Sequence, residues 1–145
     1  MLDLIKESDE IYIGTINIPI ENNFQATDKT NKLKMPKYSE CVVYVYNNEG
    51  SNVPHFHLFE KNSPKDPNTS CAIMIADNKY FSHNAYKGTL NNKQCKALNE
   101  WMNQFCPSEN ANNWTRIKNA WNAGASVDHM VTSIQPNYSF IKEYK

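Results

Sequence analysis

The residue types best suited to chemistry in this chain are concentrated in Pro54-His55-Phe56-His57-Leu58. Side chains two apart on a strand share a face, so His55 and His57 project together while Phe56 and Leu58 project oppositely. An imidazole ordinarily titrates near neutrality, and a neighbouring pair can divide the work of general acid and base or ligate a divalent metal such as zinc. A third imidazole is predicted beside them. If Asp77-Asn78 forms a two-residue turn, residue 76 pairs with 79 and residue 72 with 83, which sets His83 on a neighbouring part of the same sheet. His55, His57 and His83 are therefore the candidate catalytic set and equally the candidate metal ligands. Asp77, Glu60 and Tyr80 are auxiliary groups, and His129, in a poorly patterned tail, is a weaker member. The same rings also admit a structural role, hydrogen-bonded among aromatics on a sheet. An HxH pair is too short a signal to choose between these, because a three-histidine zinc site also needs correct distances, an open position and partners behind each ring.

Other chemistries lack their signatures. There is no GxSxG elbow, P-loop, dinucleotide-binding glycine pattern or HExxH, and four glycines (Gly14, Gly50, Gly88, Gly124) are too few for a glycine-rich phosphate cradle. Cys41, Cys71, Cys95 and Cys106 form no CxxC pair and read as thiols, with Cys71 and Cys95 on apolar stretches where a free cysteine packs as a small hydrophobe.

The elements that must position the histidines follow from periodicity. Ile11, Ile13, Ile16, Ile18 and Ile20 alternate, with a change of parity across Gly14-Thr15, which predicts one bulged strand or two short ones. Pro19 demotes the second half to a sheet edge or strand end. Residues 21–40 read as a polar connection whose Lys29, Lys32, Lys34 and Lys37 form a local cationic patch, without the interleaved aromatics that nucleic-acid binding favours. Strands are predicted at Cys41–Tyr46, Val53–Glu60, Ser70–Ala76 and Lys79–His83, joined by a turn at Asn47–Gly50 and a Pro64/Pro67 loop from Asn62 to Thr69. The simplest pairing is an antiparallel meander.

After Gly88 the period becomes helical. An asparagine cap at Asn91-Asn92 precedes Cys95, Leu98, Trp101, Met102 and Phe105 on one face, and an Asn112-Asn113 cap precedes Trp114, Ile117 and Trp121, with a stop near Gly124. The tail holds Val131, Ile134, Tyr138, Phe140 and Ile141 without a period and is expected to dock back. The predicted architecture is α+β: an antiparallel meander of four to six strands with two C-terminal helices packed on one face. All 145 residues form one domain, divided into an N-terminal strand region 1–40, the meander 41–83, a helical region 90–124 and a tail 125–145. The histidine face is then the open one.

Composition narrows the class. Fifteen basic residues balance fifteen acidic ones, which removes bulk attraction to nucleic acid or anionic lipid. Seventeen aromatic residues and zero net charge argue for a folded chain. No stretch reaches the roughly 20 apolar residues of a membrane helix, and the start MLDLIKESDE is charged too early for a signal peptide, so a soluble cytoplasmic protein is expected.

The order VPHFHLFE, ADNKYFSH, GTLNNKQCKALNEWM and NWTRIKNAWN resembles small proteins scattered through gut bacteria and their phages. It is also distantly similar to a compact domain-of-unknown-function family with a His-Phe-His strand, some members of which lie near toxin-antitoxin loci. The likeness covers residues 41–124 and matches at Pro54, His55, Phe56, His57, Tyr80, Phe81, His83, Leu90, Trp114, Trp121 and Asn122. It implies a phage or mobile-element protein of the bacterial cytoplasm or virion. With the histidine-bearing sheet face, it leads to the expectation of a small interaction protein that binds another protein or a second copy of itself. The alternative is a histidine-based or metal-dependent hydrolase, a ribonuclease-like toxin acting through His55, His57 and His83.

Overall fold

The structure, a computed structural model, describes residues 9–20, 37–47, 53–62, 70–82 and 87–143. His83, Lys29, Lys32, Lys34 and the stretch 63–69 lie outside them. The fold is α+β. Four strands, β1 (Asp9–Ile20), β2 (Lys37–Asn47), β3 (His55–Glu60) and β4 (Cys71–Met74), form an antiparallel sheet in the order β1-β2-β3-β4. Helices α1 (Asn92–Asn103) and α2 (Asn113–Gly124) follow, with a small two-stranded sheet of β5 (Phe105–Cys106) and β6 (Ala111–Asn112) between them. No helix among the described residues is long and apolar enough to cross a membrane.

The parity change in β1 is a bulge. Tyr12 pairs with Tyr44 and Gly14 with Val43, so Ile13 is the extra residue, and the shift lets Ile13, Ile16 and Ile18 all reach the interior. Gly14 lets the chain pass close to α1, since a Cβ there would lie 3.2 Å from the Trp101 ring and the indole would have to give by a few tenths of an ångström. Pro19 sits in the outermost strand, where its missing donor costs no ladder bond. Strand β2 starts at Lys37, so the polar connection is shorter than its composition suggests.

Both helices begin where asparagine supplies an acceptor for an orphaned N–H. Asn91 Oδ1 accepts from the Gln94 amide at 2.9 Å while Gln94 Oε1 accepts from the Asn91 amide at 2.9 Å, a reciprocal capping box. Asn112 Oδ1 accepts from the Thr115 amide at 2.8 Å. Asn113 then serves the end of α1: its side-chain amide donates to the Trp101 carbonyl at 2.8 Å and its backbone N–H to Gln104 at 3.0 Å. Because α1 stops at Asn103, Phe105 leaves the apolar stripe predicted for it and lies 59% exposed in β5.

The core lies between the helices and one sheet face. Val43, Val45, Phe56, Leu58 and Ile73 meet Leu98, Trp101, Met102, Trp114, Ile117 and Trp121 there. The tail docks as expected, through Val131 and Tyr138, whereas Ile134 and Phe140 remain exposed. Asn122 fixes it like a piece of strand, donating to the Val131 carbonyl at 3.1 Å and accepting from its amide at 2.7 Å. Tyr138, in a 3-10 turn (Tyr138–Phe140), closes the end of β4. Its hydroxyl donates to the Ile75 carbonyl, lies 3.0 Å from that of Met74, and accepts from Trp114 Nε1 at 3.2 Å; Trp114 Nε1 also reaches Ile75 O at 2.9 Å. Carbonyls that leave the ladder are thereby satisfied without water.

The turn after β4 differs from the expected two-residue turn. Met74 N donates to Lys79 O and Phe81 N to Ala72 O, so residue 74 faces 79 and residue 72 faces 81. The reason lies in Ile75. Its N–H is bonded to Pro54 O at 3.0 Å and its carbonyl is taken by Trp114 and Tyr138, which commits it to β3 and the core and widens the turn.

Candidate functional site

The register places the two histidines as alternation requires. His57 pairs with Tyr44 on one side and Ala72 on the other, and His55 pairs with Met74, while Phe56 pairs with Ile73 of the helix-side core. His55 and His57 therefore leave the sheet on the side away from the helices. That side is closed around them. The expectation of an open face fails here, since His55 is 1% exposed and His57 0%.

Among the described residues, aromatic rings line the enclosure. The imidazole centroids are 5.0 Å apart, inclined at 63°. His57 packs edge-on against Tyr46 at 4.5 Å and stacks with Phe59 at 5.7 Å. His55 lies 4.5 Å from Phe81 and 5.6 Å from Trp121, whose indole reaches it from the end of α2. From His57 the rings continue across β2 through Tyr46 and Tyr44 to Tyr12 on β1, the last step at 5.7 Å. Exposure rises along this ladder, from the buried imidazoles to Tyr12 at 54%. Tyr46 is held by a 2.8 Å hydrogen bond from its hydroxyl to Glu10.

The shifted turn register brings Phe81 to the position opposite Ala72 where His83 was predicted, and it is the phenyl ring that meets His55. His83 itself lies outside the described residues. Tyr80 does not join the imidazoles: it pairs with Ile73, belongs to the helix-side core, and accepts a hydrogen bond from the Leu90 amide. Glu60 is displaced for the same reason of parity, lying opposite Cys41 and accepting from Ser39 Oγ at 2.8 Å. Asp77 sits in the wide turn. His129 bonds Ser126 Oγ through Nδ1 at 2.9 Å, and its carbonyl accepts from Trp121 Nε1 at 2.8 Å. Sequence reasoning did not name Tyr44, Tyr46, Phe59 or Phe81 as the histidines' neighbours. Phe59 was legible, two residues beyond His57 on the same strand; the others needed the register.

His55 Nδ1 lies 2.8 Å from the Val53 carbonyl. A carbonyl only accepts, so Nδ1 carries the proton and the ring orientation is fixed by its own strand entry. Two imidazoles alone fall short of a metal centre, and among the described residues no group of three or more His, Cys, Asp or Glu side chains converges as one. The described donors supply two of the three predicted ligands, with His83 outside the described residues. The thiols offer no substitute nucleophile in the interior. Burial pushes Cys41 up to about 11 and Cys71 up to about 12, and it also raises Cys95, keeping all three protonated at neutral pH. Cys106 alone is lowered, chiefly by the Ser108 hydroxyl 3.4 Å from its sulfur.

Fold and site together define a small α+β protein with an aromatic-walled imidazole pair on the sheet face opposite its helices. No family model, curated protein or solved structure matches the chain.

Proposed function

We propose that this chain is a small cytoplasmic interaction protein of phage or mobile-element origin, which meets another protein or a second copy of itself at the outer part of the imidazole-bearing sheet. The observation that carries the reading is the gradient of exposure along the aromatic ladder. The groups with chemistry to offer, His55 and His57, are sealed at 1% and 0%, while the ring at the far end, Tyr12, is 54% exposed beside a cleft of about 290 Å³. A tyrosine with an apolar body, a polar tip and few rotatable bonds suits a protein contact. Phage or mobile-element origin leans on the sequence resemblance alone.

A second reading has one observation in its favour. Paired imidazoles with one tautomer fixed are the beginnings of acid-base chemistry on a phosphodiester, RNA included. The two readings separate in one set of measurements on the purified protein: hydrolysis of RNA, bound metal by elemental analysis, and mass in solution. We expect no hydrolysis that disappears in His57→Ala, no stoichiometric metal, and an association that Tyr12→Glu weakens. Hydrolysis lost with His57, or one zinc per chain, overturns the interaction reading in favour of the enzyme.

A further inference from the structure

Strand β1 ends the main sheet, and among the described residues no strand pairs with its outer side. From Ile11 to Ile20 it has no charged residue, although edge strands are ordinarily protected by charge, proline or a bulge. Here protection is confined to two points. The bulge residue Ile13 has its carbonyl bonded by Arg116 Nη2 at 2.8 Å, and the Pro19 carbonyl is bonded by Gln94 Nε2 at 2.7 Å. Helix side chains thus clamp the edge at either end.

Between the clamps the direction of the backbone groups can be read. Glu40, the β2 partner of Asn17, accepts from Lys61 N on the β3 side at 2.9 Å, so the Asn17 backbone groups point outward, and by alternation so do those of Pro19, which has no N–H and whose carbonyl meets Gln94. The ladder is regular from Gly14 to Ile20, so the outward phase recurs at Asn17 and Thr15, both with exposed side chains. These residues present donors and acceptors that strand pairing would satisfy.

We propose that this edge pairs antiparallel with the same edge of a second copy, about a two-fold axis at Ile16, making one continuous sheet; the inference rests on the interaction reading above and names its surface and partner. In that register Thr15 of each copy faces Asn17 of the other, and every outward N–H between the clamps meets a carbonyl. Pro19 then falls opposite the other copy's bulge, so the clamps of both strands coincide and end the paired segment. Shifting the register by two residues either way sets an outward residue against Pro19, which cannot donate, or against the clamped Ile13. The edge is therefore complementary to itself in one register, as an isologous contact requires. An unrelated peptide would be under no such constraint.

The test is the mass in solution of the full chain and of two double variants, Thr15→Lys with Asn17→Lys, and Thr15→Glu with Asn17→Glu. Both sites are exposed, so thermal melting should match the unaltered chain at low concentration. We expect the unaltered protein at twice the 16.7 kDa of one chain, each double variant at one chain, and an equimolar mixture of the two restored to two chains, because Lys and Glu then face across the axis. A monomeric unaltered protein overturns the inference. So does a dimer that persists in both variants, although that result leaves the interaction reading standing, and a mixture that stays monomeric removes the register. Should the unaltered chain be monomeric yet bind an uncharged extended peptide that the Lys pair repels, the edge is a docking strand for another protein and self-pairing is wrong. Failure of the interaction reading shows differently, as His57-dependent hydrolysis.

Discussion

At their centres the two faces of the main sheet are buried to the same degree, and they are held in different ways. On the helix side, Val43, Phe56 and Ile73 are 0% exposed; on the other, His57 and Ala72 are also 0% exposed. Burial alone does not tell a core from a candidate site. What separates them among the described residues is the balance between hydrogen bonds and ring contacts. The helix side is fastened by hydrogen bonds between elements far apart in sequence: Trp114 and Tyr138 to the end of β4, Arg116 and Gln94 to β1, Asn113 to the end of α1. Among the described residues the imidazole side is joined mainly by ring contacts over β2, β3 and the segment after β4, beside the Tyr46–Glu10 and His55–Val53 hydrogen bonds. Ring contacts tolerate exchange of one flat or apolar side chain for another far better than a directed, buried hydrogen bond does.

The largest test of that contrast is Trp114→Ala. The substitution removes a buried indole and a donor shared by Ile75 and Tyr138, and aromatic-to-alanine changes in cores cost about 3–5 kcal/mol. Against a total stability of about 5–15 kcal/mol for a domain of this size, chemical denaturation should show a protein near its unfolding threshold at 25 °C. A loss below about 1 kcal/mol would mean that the helix side is not the specified one. Tyr138→Phe is a milder probe of the same joint. It keeps the ring and deletes only the hydroxyl that meets the Ile75 and Met74 carbonyls, for an expected loss of about 1–3 kcal/mol in urea denaturation.

That joint also marks the limit of what the chain reveals before it folds. The antiparallel sheet, the parity change near Gly14, the asparagine caps and the side on which His55 and His57 emerge all follow from local rules of period, parity and capping, and each was legible, although the parity change alone left open one bulged strand or two short ones. The closure around the histidines was not legible, because it depends on rings from other strands and on Trp121, which no local pattern assigns to them. The turn after β4 misled for a related reason. Asp77-Asn78 carries the right residues for a tight turn, but Ile75 is claimed by Pro54, Trp114 and Tyr138, and these long-range bonds move the register so that Phe81 takes the expected place of His83. Phe105 followed helical spacing one turn too far, beyond a helix end set by Asn113.

Alkaline pH probes the helix-side face without substitution. Burial, the largest cause, with smaller contributions from Cys41 and Cys95, holds the Cys71 thiol up to about 12, against 9.0 when unburied. The raised value means that the folded state keeps its proton after the unfolded state begins to lose it. Stability is therefore complete below pH 9 and declines as pH rises from 9 toward 12. At pH 10 the loss from this thiol alone should be about 1 kcal/mol relative to pH 8. Cys41, raised to about 11, adds to the slope. Denaturation midpoints between pH 8 and 10 should fall in the unaltered protein and fall less steeply in Cys71→Ala. Equal slopes would show that the thiol is ionised in the fold and that this corner of the core is wetter than its packing implies.

The smallest expected effect is the most informative. His57→Leu replaces a buried imidazole among Tyr46, Phe59 and His55 by an apolar side chain of similar volume. If ring packing is what holds this face, the exchange keeps the contacts, and the denaturation midpoint should move by less than about 1 kcal/mol in either direction. The variant should then keep the mass of the unaltered protein in solution, since Thr15, Asn17 and Tyr12 are untouched. A loss as large as that of Tyr138→Phe would break the comparison between the faces, for it would mean that His57 is fixed by directed bonds of its own. Two faces specified equally well would move the imidazole pair from filler to a built polar centre, and a centre of that kind, buried beside a second imidazole, is where proton-transfer chemistry should be sought first.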